Sequence, residues 1–255
     1  MNPLHSTFLR ARGFLRHRRL PDPPVVIGGC ERSGTTLFLS ILSAHPKIQA
    51  VSEESWAFCY GPESGFKDSS EPVRMSRLYR CLGESPLAPE ASRWAEKTPA
   101  NVFYFEEVLE HFAGEVRLIE VVRDGRDVVT SHHPSRPDGY WMRAQRWVKA
   151  VEAGRELAGD PRLLTVRYED LVMDMETTMR RVCDHIGEPY APELDDWVRH
   201  AGVRQSPHLH TGRIAGVSTA SVRKFERPDF PHGARVEEFM SEPRARDLLA
   251  HLGYT

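Results

Sequence analysis

Long apolar runs are missing from this sequence: nowhere do about 18 hydrophobic residues follow one another, the length a bilayer-spanning helix needs. No helical membrane span is expected. Cysteine is scarce as well, with 4 residues, Cys30, Cys59, Cys81 and Cys183, scattered over 255 positions. No CxxC pair and no zinc-type Cys/His spacing joins them, so neither a disulfide scaffold nor a metal site is expected, and the default compartment is reducing and cytoplasmic. An excess of charge of either sign is absent: 34 Lys and Arg against 36 Asp and Glu leave a net charge of -2. A broad nucleic-acid-binding surface is therefore not expected, and any anion site must be local. Internal repeats and low-complexity tracts are also lacking. Acidic residues are absent from the first 20 positions, which carry Arg10, Arg12, Arg16, Arg18 and Arg19. Residues 1–21 read as a basic, solvated and partly disordered leader, with a peripheral membrane-surface or targeting segment as the alternative.

What is present suffices for a core. Hydrophobic residues make up 40% of the chain, which fits one α/β domain over 22–255. Pro21, Pro23 and Pro24 close the leader. Val25 to Ile27 read as a buried strand that ends at Gly28 and Gly29. From Thr35 onward Leu37, Phe38, Ile41 and Leu42 recur at helical spacing until His45-Pro46 breaks the pattern. Further strands are expected at Val116 to Val122 and Leu163 to Val166. Helices are expected around Pro72 to Cys81, after Thr98-Pro99, near Gly125, from Trp141 to Leu157 and along Met175, Met179, Val182 and Ile186. Alternating strands and helices imply a parallel sheet flanked by helices on both faces. The polar stretch 60–95 reads as a surface excursion that could form a lid over substrate.

Gly29-Cys-Glu-Arg-Ser-Gly34-Thr35-Thr36 has the skeleton of a phosphate-binding P-loop: two glycines five apart, then hydroxyl residues at a helix start. Backbone N–H groups of Ser33, Gly34, Thr35 and Thr36 can wrap an oxyanion there. The lysine with which an NTP-hydrolysing loop reaches the β- and γ-phosphates is replaced by Thr35, and a cation stands inside the loop at Arg32 instead. Ordinary ATP use is disfavoured. The stretch Gly29 to Leu37, with His45-Pro46, resembles the 5′-phosphosulfate loop of the sulfotransferases, in the arginine form of the tyrosylprotein and many bacterial enzymes.

Val121-Val-Arg-Asp-Gly-Arg-Asp-Val-Val-Thr-Ser131 is similar to the 3′-phosphate motif of that family. Arg123 at a strand end and Ser131 two turns into a helix could converge on one phosphate. A donor with both 5′ and 3′ phosphate groups is 3′-phosphoadenosine 5′-phosphosulfate, whereas ATP has nothing to offer a second site. Arg126 reads as structural, paired with a neighbouring carboxylate. The segment at Tyr168-Glu-Asp-Leu resembles a further family motif, and Tyr168 is either a cofactor contact or a half-buried tyrosine capping the core. The resemblance runs from about Val25 to Ser218.

The family chemistry implies an acceptor hydroxyl that loses its proton and a leaving phosphate that gains charge. Glu53, 21 residues after Arg32, matches the base position of the tyrosylprotein enzymes; Glu54 is its competitor, and a one-residue shift would reverse the two. Glu96-Lys97-Thr98-Pro99 resembles a bacterial segment whose lysine reaches the transferring group, although Lys97 alone also reads as a solvated lysine. Ser218 of Gly216-Val-Ser218 would donate to the same developing charge. His132-His133 read as packing or acceptor-groove residues without a metal role. Trp56, Tyr140 and Trp141 could stack on a sugar or phenol. The implied activity is sulfuryl transfer to an acceptor hydroxyl; the alternatives are a P-loop kinase or NTPase and a catalytically silent binding protein on the same fold.

Overall fold

A computed structural model describes residues 3–59, 73–133, 136–203 and 216–254. The basic start of the chain is not a disordered leader: Pro3–His17 form helix α1, with Leu9 and Gly13 buried against the body. Val25–Gly28 follow as β1, and Thr35–Leu42 as α2. Ile48–Ala50 form β2, Met75–Glu84 α3 and Arg93–Lys97 β3. A 3₁₀ turn over Pro99–Tyr104 leads into α4, Phe105–His111, and then β4, Arg117–Val122. The expected helix after Thr98 is thus split into a tighter first part and a short α-helix.

Gly125–Val129 make α5, and an antiparallel hairpin follows, β5 at His132–His133 and β6 at Arg136–Tyr140. The second half alternates α6, Ala144–Glu156, with β7, Leu163–Arg167, then α7, Tyr168–Met173, and α8, Met175–Ile186. Asp174 caps α8 through a hydrogen bond from the Thr177 amide, and Gly187 ends it at φ 76°. Among the described residues three short α-helices follow: α9 at Trp197–His200, α10 at Gly233–Met240 and α11 at Ala245–His251.

The main sheet has five strands in the order β2-β3-β1-β4-β7, every neighbouring pair parallel. Successive side chains of a strand point to opposite faces, so β1 feeds two cores. Val26 packs with α3, α4, α6, α10 and α11 residues, Val25 and Ile27 with α2, α8 and α9 residues. Two strands, β2 and β3, lie outside the three expected from the apolar pattern. β3 is fully buried yet reads RWAEK. Its charges are matched individually: Arg93 pairs with Glu188 at 2.7 Å, and Glu96 and Lys97 meet the partners described below.

β1 lies in the middle with β3 on one side and β4 on the other, so the chain after β1 leaves the sheet where the direction of winding reverses. Clefts open at the C-terminal ends of strands at such a switch point. The loops after β1, β3, β4 and β7 all meet there.

Candidate active site

The loop after β1 is shaped by its glycines. Gly29 has φ +141° and a Cβ there would lie 2.2 Å from the Val121 carbonyl oxygen; Gly34 has φ +91° and a Cβ would lie 2.4 Å from the Tyr168 ring. Between them Arg32 takes a left-handed conformation, φ 72°. Gly34 is the N-cap of α2 and offers no side-chain acceptor, so the first-turn amides, which have no partners within a helix, face the cleft uncapped. Glu31 braces the loop from outside through Arg146 of α6, 2.6 Å away.

Arg32, Gly34, Thr35, Thr36, Leu37, Arg123, Tyr168, Gly216, Ser218 and Ser221 line one cleft of about 310 Å³. Arg123 follows β4. Its guanidinium donates to the Arg32 carbonyl at 3.2 Å and to the Ser221 carbonyl, and stacks 4.5 Å from the Tyr168 ring centre. The Tyr168 hydroxyl donates to Ser221 Oγ at 3.2 Å. Tyr168 is buried, and its ring forms part of the cleft lining.

No acid is among the described residues that line the cleft, although the buried Asp127 carboxylate stands behind Arg123, 3.7 Å away. Nε of Arg32, Nε of Arg123 and Oγ of Ser33 are buried with no hydrogen-bond partner. Burial and the neighbouring Arg123 hold the Arg32 guanidinium below its usual range. Lys224, a residue no motif pointed to, joins them: burial first, then Arg123 and Arg32, push its ammonium down to about 8, with Asp127 opposing. Unpartnered buried donors and mutually repelling cations are costly unless an anion completes them. A phosphate at the P-loop and a second at Arg123 fit these donors.

Ser131 is buried, and its hydroxyl donates to the Asp127 carbonyl at 3.2 Å rather than lining the cleft. Asp127 lies 3.7 Å from Arg123. Arg126 pairs with Asp124 at 2.7 Å, as its structural reading required.

The two glutamates separate. Glu54 Oε1 accepts from Lys97 Nζ at 2.5 Å, with both side chains largely buried. Glu53 is more exposed and turns to α3, where Arg80 lies 3.9 Å away and Cys81 and Glu84 complete a small cluster. Geometry thus brings Glu54, and not Glu53, to Lys97. Glu96 fixes this arrangement. Its Oε1 accepts from the Ser55 amide at 3.0 Å, the Ser55 hydroxyl at 2.9 Å and the Thr98 hydroxyl at 2.6 Å, and its Oε2 from Asn101 at 2.7 Å. Asn101 also donates to the Ile27 carbonyl, tying the network to β1.

Ser218 borders the cleft on an exposed turn, where its side chain accepts from the Ala220 amide. Trp56 packs with Cys59, Ala100 and Tyr104, while the Trp141 ring sits 5.6 Å from the Arg32 guanidinium. Tyr140 stacks on His132 and hydrogen-bonds His232. Of the stretch 60–95 expected to form a lid, residues 60–72 lie outside the described residues.

Residues 23–80 and 74–192 match the sequence profile of the sulfotransferase family. The chain belongs to the sulfotransferase family. Among its curated relatives is the protein-tyrosine sulfotransferase of Drosophila melanogaster, 26% identical over 193 residues, which covers 66% of this chain and 38% of that protein. Protein-tyrosine sulfotransferase A of Caenorhabditis elegans is 23% identical over 207 residues, 70% of this chain and 52% of the relative. The chain thus spans about half or less of these relatives' length. Similar solved structures include the sulfotransferase domain from the curacin biosynthetic pathway, with a TM-score of 0.60 and 17% identity over 93% of this chain and 99% of that one. Mouse sulfotransferase SULT7A1 complexed with PAP superposes with a TM-score of 0.52 at 15% identity, covering 97% of this chain and 95% of that one. At such identity these likenesses are of fold.

Proposed function

We propose that this sulfotransferase-family protein moves a sulfuryl group from 3′-phosphoadenosine 5′-phosphosulfate to an acceptor hydroxyl of the tyrosyl, phenol, glycan or glycolipid class. The carrying observation is the pair of anion-seeking groups in one cleft: the P-loop with Arg32, and Arg123 with Lys224 behind it. A nucleotide with phosphate at both 5′ and 3′ positions satisfies both. The PAP-bound mouse neighbour supports that choice of donor. In the reaction the acceptor oxygen attacks sulfur, the bond from sulfur to the 5′-phosphate oxygen breaks, and the acceptor proton goes to a base.

The base we assign is Glu54. It is held against Lys97 beside the P-loop strand, and the register of β3 on β1, with Lys97 opposite Ile27, sets that position. Lys97 and Arg32 offset charge that builds on the leaving phosphate, and Ser218 can donate to the same oxygen. The four cysteines are unpaired and buried, which supports the cytoplasm as the working compartment. A kinase reading has Thr35 against it.

Calorimetry with adenosine 3′,5′-bisphosphate, adenosine 5′-phosphate and magnesium ATP tests the proposal. The bisphosphate should bind roughly ten to a hundredfold tighter than the monophosphate, and Arg123→Ala should erase that difference, since a charge-assisted hydrogen bond is worth about 1.5 to 3 kcal/mol. Preference for magnesium ATP would replace the proposal with the kinase reading.

A further inference from the structure

Helix α1 has two unlike faces. One is locked onto α3: a Cβ at Gly13 would lie 1.7 Å from the Tyr79 carbonyl oxygen, and one at Gly83 would lie 2.2 Å from that of Leu9. Arg16 crosses to the end of α3 and donates to the Leu82 and Ser85 carbonyls at 2.6 and 2.7 Å, satisfying groups that a helix C-terminus leaves open. His17 accepts from the Trp94 indole at 3.0 Å. The helix is therefore held rigidly, and so is its outer face.

That outer face is apolar. Leu4, Phe8 and Leu15 are 79%, 60% and 61% exposed, and at 100° per residue they fall within roughly 40° of the helix circumference, with exposed Ala11 beside them. Arg10, Arg12, Arg18 and Arg19 are exposed around this stripe, and the first 20 residues hold no acid. The first 20 residues thus carry five arginines and no acid, in a chain whose net charge is -2.

We propose that α1 docks the protein on the surface of an anionic lipid bilayer, with Phe8, Leu15 and Leu4 entering the interface and the arginines on the headgroups. A basic helix with a Phe/Leu face lies in the plane of such an interface, and each arginine near an anionic surface strengthens partitioning about fivefold. Charge complementarity selects this partner: an apolar patch made for a second copy would place these cations against the same cations. The docking is independent of the reaction proposed above.

Flotation of the full chain tests it, with vesicles of phosphatidylcholine alone and of an equimolar mixture with phosphatidylglycerol. The wild type should float with the anionic vesicles, release as salt is raised and ignore neutral ones. Phe8→Ser with Leu15→Ser should lose most of that binding, on the order of tenfold or more, and Arg12→Gln with Arg18→Gln a comparable share. Thermal unfolding and turnover on a water-soluble acceptor should stay as in the wild type for both variants. Failure of the wild type to float, or flotation of Phe8→Ser/Leu15→Ser equal to wild type, overturns the proposal. So does a dimer, seen by sedimentation velocity, that the serine variant dissolves.

Discussion

Glu53 and Glu54 are neighbours in sequence, but they serve different surroundings, since the chain bends at Ser52 and Glu53 just after β2. Glu53 answers Arg80, while Glu54 answers Lys97. Spacing from Arg32 chose the former; the ion pair chooses the latter. Glu54→Gln keeps shape and hydrogen-bonding reach while removing the proton acceptor, so turnover should fall about 10² to 10⁴-fold with donor affinity nearly unchanged. Glu53→Gln should stay close to wild type in the same assay at saturating donor; a dead Glu53→Gln beside an active Glu54→Gln would return the base to Glu53. Lys224 carries a second prediction. Its ammonium titrates at about 8 in the free protein, and an anion binds better to the charged form. Affinity for adenosine 3′,5′-bisphosphate should weaken as pH rises through about 8. Lys224→Met should bind roughly tenfold or more weakly below that pH and show no such inflection, measured by calorimetry across the window.

At the scale of elements, the P-loop is legible because its backbone demands are local. Gly34 needs a positive φ wherever such a loop opens a helix, and the sequence shows it. Gly34→Ala would add strain at φ +91° and push a methyl into Tyr168, whose ring supports Arg123. We expect donor affinity to drop at least tenfold and stability by about 1 to 3 kcal/mol; wild-type binding of adenosine 3′,5′-bisphosphate by Gly34→Ala would remove the loop from the donor site. Strands β1, β4 and β7 were equally readable, since each is an apolar run. β3 was not. Arg93, Glu96 and Lys97 are matched by Glu188, by Ser55 with Asn101 and by Glu54, contacts that only tertiary structure brings together. The same holds for α1, whose docking depends on Gly13 meeting α3 and Gly83 meeting Leu9. Ser221, which lines the cleft, and Lys224, which stands near Arg123 and Asp127, lie on chain that follows the last motif, so no spacing announced them.

For the whole molecule, the sheet that carries the site also carries a buried acid. Glu120 lies in β4, paired with β1 on one side and β7 on the other, and accepts one hydrogen bond from Thr165 at 3.0 Å. Room for it comes from Gly154 of α6, where a Cβ would lie 2.1 Å from its Oε1. Burial raises its carboxyl from the ordinary 4.5 to about 7, with the Thr165 hydrogen bond pulling the other way. The sign of the pH effect follows. At pH below about 4.5 both folded and unfolded chains hold the proton, and Glu120 contributes no slope. Between about 4.5 and 7 the unfolded chain has released the proton while the folded chain retains it, so stability falls as pH rises, and the loss levels off above 7. At about 1.4 kcal/mol per pKa unit the full loss is on the order of a few kcal/mol. Glu120→Gln cannot titrate, so its stability should lack this decline even if its amide costs something at every pH. Urea unfolding of both proteins across that range reads the difference in slope directly, and parallel curves would show that Glu120 ionises in the folded sheet as readily as in the unfolded chain.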